Sequence, residues 1–269
     1  ILIILLMLIP MILMLSFSFF TQVSFVEIDY TFTIQRYIDF FQKNLLVTLL
    51  IKSLKISFLV TLITLLTAYP VCYYIAFYVK KNKMLCLVLL TLPFWTSYLL
   101  RVFSWKIILG TKGVINSSLI TAGLLSEPLT FLMYSETAVI ITLTHAYAAF
   151  ALLPLYVSLE KIDFSLIEAG RDLGLSRLEV FWKITFPLSM PGVIGAILII
   201  FIPTVGDYVT PALLGGTDGR MLSNMIQAYF GKINNIPLGA ASATIMLFTV
   251  AVVTIVVSYT TKKLTQRIS

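Results

Sequence analysis

Residues 160–187, EKIDFSLIEAGRDLGLSRLEVFWKITFP, form the one long polar interruption in a chain otherwise greasy enough to live in lipid. The chain has 269 residues, 59% hydrophobic and only 12% charged, with a mean hydropathy of +1.00. An ordinary soluble domain carries about 25% charged residues. Several apolar runs reach the roughly 20 residues that cross a bilayer as a helix. Soluble helices keep a polar face, and membrane barrels show alternating strands of about ten residues. Neither pattern fits, so the sequence predicts an all-α polytopic membrane protein with a single transmembrane domain over residues 1–269.

Six spans are predicted, at about 1–20, 47–79, 84–109, 137–159, 190–209 and 238–259. Pro10 kinks or weakens the first, Pro70 lies late in the second and Pro93 breaks the third. The chain opens on Ile1 rather than Met, which suggests that a few residues precede it. The first run is too long for a signal-peptide core and has no small-residue cleavage pattern. Cys72 and Cys86 have no metal-ligand spacing and read as packing residues.

Basic residues orient the spans. With the N-terminus inside, ten basic residues fall inside and nine outside, so density decides rather than number. The turn at Lys80, Lys81 and Lys83 and the tail with Lys262, Lys263 and Arg267 abut spans directly. Both termini are therefore assigned to the cytoplasm. The outer segments, about 21–46, 110–136 and 210–237, carry apolar residues at helical spacing, such as Ile115, Leu119 and Leu124. They are expected to lie on the membrane surface or cap a cavity.

The polar segment reads as two short helices hinged at a glycine. Asp163 or Ser165 caps a helix over about 166–173, and Gly174 supplies the left-handed residue that ends it. Ser176 and Glu179 form an S-x-x-E capping box for a second helix, which Pro187 is expected to stop. Ile162, Leu166, Ala169 or Gly170, and Leu173 share one face, with Glu168, Arg171 and Asp172 around it. Such a face fits either a protein partner or lipid headgroups.

The spacing Glu168-Ala169-Gly170, three residues, Gly174, nine residues, Ile184, one residue, Phe186-Pro187 resembles the EAA loop of ABC importer permeases, E-A-A, three residues, G, nine residues, I-x-L-P. Gly170 replaces the second alanine and Phe186 the leucine. The segments 92–116, 153–163 and 201–216 resemble the PotB-type branch for spermidine and putrescine. The resemblance implies a type I ABC importer permease (MetI-like) fold in a bacterial cytoplasmic (inner) membrane. It implies two cytoplasmic ATPase subunits seated on the 160–187 loops and a second, different permease subunit. It also implies a periplasmic or lipoprotein substrate-binding protein. ATP and Mg would sit on the partner ATPase, with no cofactor or metal on this chain, no catalytic residue and no nucleic acid. Glu168, Ala169, Gly170, Asp172, Gly174, Ile184 and Pro187 would couple the ATPase to the spans.

The residues agree with a subunit that draws energy from a partner. No G-x-x-x-x-G-K-[ST] phosphate loop occurs, and no chain of buried carboxylates marks a proton pump. A polyamine path needs carboxylates and aromatic faces. Asp207 and Tyr208, beside Pro203, Gly206 and Pro211, are the first candidates, with Glu136, Trp95, Tyr98 and Phe94 behind them. Asp207 could equally pair with Arg101 or Lys106, and the aromatics could form an interfacial belt. Arg101 is either paired, snorkelling or off the path. His145, the single histidine, is expected to hydrogen-bond a neighbouring helix. Competing readings are an ABC permease for an opine, a phosphonate or iron, a secondary transporter, and, least supported, a membrane enzyme.

Overall fold

The computed structural model describes the backbone of residues 2–25 and 27–268 and the side chains of residues 6, 8–25 and 27–261. The chain is built from helices, apart from one small antiparallel pair, β1 (Thr21–Gln22) and β2 (Ile28–Asp29), in which Thr21 faces Asp29. The helices run α1 (Leu2–Phe17), α2 (Gln35–Gln42), α3 (Asn44–Phe77), α4 (Lys83–Thr91), α5 (Tyr98–Leu109), α6 (Val114–Thr121) and α7 (Glu136–Glu160). Then come α8 (Phe164–Asp172), α9 (Arg177–Val180), α10 (Phe186–Gly206), α11 (Val209–Leu214), α12 (Leu222–Phe230) and α13 (Ile236–Ile268).

Among the described residues, four continuous helical stretches are long and apolar enough to cross a bilayer: 44–77, 136–160, 177–206 and 236–261. The predicted third span is not one helix. A 3-10 turn over Leu92–Trp95 carries Pro93, Thr96 is extended, and the flanking segments Lys83–Trp95 and Tyr98–Thr121 are bent by 82°. Proline removes a backbone donor and clashes with the preceding turn, so the chain turns there. The bent pair, taken together, makes a fifth span, and α1 is a shorter apolar helix of 16 residues, about 24 Å long. The arrangement is compatible with six spans. Ile1, the start of the predicted first span, lies outside the described residues, as do the side chains of Lys262, Lys263 and Arg267.

The expectation that Pro187 ends the second loop helix is corrected. Between α9 and α10 the helix continues through a π-turn, Phe181–Thr185, and the run Arg177–Gly206 is unbroken. A π-turn inserts an extra residue and widens the coil. That gives room for a ring that an ordinary α-turn would reject. The 30 residues span about 45 Å, more than the ~30 Å hydrocarbon core, so the first turns project beyond the membrane.

The core sits where α3, α7 and α10 pack together, around Ile56, Val60, Ala68, Cys72, Leu143, Leu155, Ala196 and Ile200. Small residues let these backbones approach, which is how helices associate without a hydrophobic driving force between them. Gly192 marks the tightest approach: a side chain there would collide with the Pro154 carbonyl oxygen and the Ser158 Cβ. Ser158 Oγ uses the gap, accepting the Gly192 N–H at 3.2 Å and donating to the Ser189 carbonyl at 3.2 Å. Large apolar side chains such as Phe58, Leu66, Phe248 and Ile255 point outward, as a lipid-facing surface requires.

Candidate functional site: an exposed two-helix loop and a buried carboxylate

The loop is built from caps. Asp163 accepts the Ser165 N–H at 2.9 Å and starts α8. That bond, with the Ser165 side chain, holds the Asp163 carboxyl below its ordinary range. Gly174 has φ of +84°, the left-handed conformation predicted for it. Its N–H donates to the Arg171 carbonyl at 2.9 Å, while the Leu175 N–H donates to the Gly170 carbonyl at 3.1 Å. These paired bonds are a Schellman ending, which satisfies the orphan carbonyls of the last turn. The capping box is also present: the Glu179 N–H reaches Ser176 Oγ at 3.3 Å and the Ser176 N–H reaches Glu179 Oε2 at 3.0 Å. The Ser176 backbone bond, the Ser176 hydroxyl and Lys183 together hold the exposed Glu179 carboxyl down to about 2.

The two arms close on each other through Ile167, Gly170, Val180 and Thr185, all buried. A Cβ added to Gly170 would lie 2.6 Å from Ile184 Cδ1, so these two residues form the inner contact of the loop. The predicted face is thereby resolved. Gly170 turns inward, whereas Leu166, Ala169 and Leu173 turn outward, Leu173 with 83% of its surface exposed. Glu168, Arg171 and Asp172 are exposed beside them, and none enters an ion pair among the described residues. Leu178 and Trp182 add exposed apolar surface on the second arm.

The loop is fastened to the bundle by contacts that the sequence did not predict. Phe181 sets its edge against Tyr69 and Tyr73 of α3, and the Tyr69 hydroxyl lies 2.8 Å from Ser189 Oγ. Lys83 ties the turn after α3 to Glu160 at 3.0 Å. Only the adjacent Pro191 and Gly192 could have marked the crossing that carries Ser158, because cross-helix contacts leave no periodic signal.

A second polar site lies at the break between α10 and α11. Asp207 is the one charged side chain among the buried described residues, at 8% exposure. Its carboxylate accepts the N–H groups of Val209 at 2.8 Å and Thr210 at 3.3 Å, the Thr210 hydroxyl at 3.2 Å and the Tyr98 hydroxyl. It pairs with neither Arg101 nor Lys106. Arg101 instead lies over the rings of Phe94 and Tyr98, and its Nη1 donates to the Ala146 carbonyl at 3.3 Å. His145 makes no cross-helix hydrogen bond through Nδ1. Its ring lies 5.3 Å from Phe94 and 5.4 Å from Trp105, centroid to centroid. The other candidates lie apart: Glu136 pairs with Lys55 at 3.2 Å, Trp95 is 76% exposed, and Tyr208 faces outward.

Membrane-length helices, a broken helix holding a buried carboxylate, and a capped two-helix platform outside the bundle define a polytopic helical membrane protein. The family model described as binding-protein-dependent transport system inner membrane component matches residues 1–269. The chain belongs to that family and is a multi-pass inner-membrane permease component of such a system. It is 37% identical to the spermidine/putrescine transport system permease protein PotB of Haemophilus influenzae, covering 97% of this chain and 90% of that protein. It is 36% identical to PotB of Escherichia coli, over 87% and 84% of the two chains. The fold matches the crystal structure of a bacterial ABC transporter involved in the import of the acidic polysaccharide alginate, with a TM-score of 0.68 at 18% identity, over 98% of this chain and 91% of that one.

Proposed function

We propose that this chain is the permease of an ATP-driven importer for polyamines of the spermidine and putrescine type, and that residues 160–187 seat the ATPase. The observation that carries the loop assignment is a capped platform whose outer face exposes Leu166, Ala169 and Leu173 beside Glu168 and Asp172, which enter no ion pair among the described residues. Apolar groups ringed by unpaired charge outside a membrane fit a protein groove. The Gly170–Ile184 contact and the Gly174 ending hold the face in shape, while Pro187, buried at the start of α10, carries movement of the loop into the span. ATP and Mg are bound by the partner, and this chain does no hydrolysis itself. Two ATPase subunits, a second and different permease, and a soluble binding protein complete the machine, with both termini of this chain cytoplasmic.

The cargo assignment rests on likeness to PotB over nearly the whole length of both chains. Asp207 and Tyr98 form the centre of the proposed path, and Trp95, Tyr208 and Glu136, which lie apart from that pair, are further candidates along it. An opine, phosphonate or iron importer of the same architecture is the alternative. Reconstitution in liposomes with the partner subunits and binding protein tests both parts. Spermidine uptake is expected to need ATP and the ATPase. Uptake without the ATPase points to a secondary transporter, and failure to take up either polyamine removes the cargo assignment.

A further inference from the structure

Phe94 sits in the 3-10 turn at the bend, and Tyr98 and Arg101 lie one turn apart on α5. The guanidinium carbon of Arg101 is 5.2 Å from the Phe94 ring centre and 5.9 Å from that of Tyr98. The hydroxyl of Tyr98 reaches the buried Asp207 carboxylate. Two ring faces joined to a carboxylate are the groups that hold an organic cation in a desolvated site. Here the cation between the rings belongs to the chain.

Arg101 is poorly secured for a half-buried charge. Among the described residues it has no acidic partner, its one hydrogen bond is the 3.3 Å contact to the Ala146 carbonyl, and its buried Nε has none. A guanidinium placed to pin α5 against α7 would be expected to satisfy more of its five donors. Asp207, by contrast, has filled its acceptor sites with neutral donors, and only Tyr98 among them comes from outside the α10–α11 break.

We propose that Phe94, Tyr98 and Asp207 form a binding site for an organic ammonium group of the cargo, and that Arg101 is its internal stand-in. The stand-in fills the site in this conformation and leaves when cargo enters. The proposal rests on the polyamine reading above and specifies where that cargo binds. Two like charges cannot share the rings, so the entering ammonium expels the guanidinium, and the Tyr98 hydroxyl yields its place on Asp207 to an N–H of the cargo. No covalent bond or net proton transfer is involved.

The test is calorimetric binding of spermidine to the detergent-solubilised transporter without its binding protein. Arg101→Met keeps the bulk and empties the site, so binding is expected to tighten by about fivefold to thirtyfold, the range from an exposed to a desolvated cation–π contact. Adding Phe94→Leu to Arg101→Met is expected to reverse most of that gain, and adding Asp207→Asn to abolish it. Melting temperature checks that each variant is folded. Binding by Arg101→Met no tighter than wild type, or equal binding by Arg101→Met with and without Phe94→Leu, overturns the proposal. So does a lowered melting temperature with unchanged affinity, which would mark Arg101 as a helix pin. If the binding pattern holds while the intact system fails to import spermidine, the site stands and the import reading falls.

Discussion

The loop at 160–187 and the cluster around Asp207 treat their polar groups in opposite ways. The loop satisfies its backbone through caps and leaves Glu168, Arg171 and Asp172 exposed and out of ion pairs. The cluster surrounds its carboxylate with donors and buries it. Water solvates the loop's charges at little cost, so they can wait for a partner. Within the bilayer an unsatisfied charge costs several kcal/mol or more by most estimates, about 2.5–3.5 on insertion scales, so the chain must supply substitutes. One region therefore leaves its charges to water, and the other satisfies its charge within the chain.

The largest expected effect breaks the loop side of this contrast. Glu168→Lys reverses an exposed charge with no ion-pair partner among the described residues, so folding and insertion should be unchanged while ATP-driven uptake falls to background. Co-purification of the ATPase and uptake in liposomes read the two halves, and normal uptake would remove the docking account. Gly192→Ala is next. It forces a methyl into the Pro154 carbonyl, and overpacking of this kind costs about 1–3 kcal/mol, seen as a lower melting temperature in detergent. Gly195→Ala meets only the Pro154 Cβ, at 3.4 Å, and should be nearly neutral. Equal losses would mean that the crossing at Gly192 is not the tight point.

Gly174→Ala should act through the backbone alone. Its Cβ would meet open space, but φ of +84° costs an L-residue about 1–2 kcal/mol. The loop helix should fray, with faster amide exchange at Leu173 and Leu175 and partial loss of coupled ATPase activity. The smallest effect is on pH. The Glu179 carboxyl is held at about 2 against an ordinary 4.5, so its contribution is whole above about 4.5 and lost as pH falls towards 2. Exchange at Ser176 and Glu179 should quicken over that range, and Glu179→Gln should remove the pH dependence.

The loop was the most legible part because its structure is local. Asp163, Gly174, Ser176 and Glu179 act on backbone groups within four residues, and sequence spacing encodes that directly. The loop's inward contact was less legible: whether Ala169 or Gly170 turned inward depended on Ile184 across the hinge. Pro203, Gly206 and Pro211 marked the end of the fifth span to within a few residues, but the partner of Asp207 was not legible. Arg101 was a reasonable candidate by charge, yet the fold brought Tyr98 and Thr210 to the carboxylate and left Arg101 on the rings. Pro187 misled for the opposite reason. A proline reads as a stop, but a π-turn before it carried the helix through.

Composition alone established a helical membrane protein, because apolar runs of membrane length leave no polar face for water. Spacing alone located the loop, its hinge and its caps, because those interactions stay within a turn or two of chain. The tertiary structure decided what contacts between distant residues control: the 82° bend of the third segment, the Gly192 crossing, the ties from α3 to the loop, and the seat of Arg101 over the Phe94 and Tyr98 rings. Side chains brought together across 30 to 120 positions leave no periodic trace in a sequence, and packing alone chooses among the partners that charge would allow.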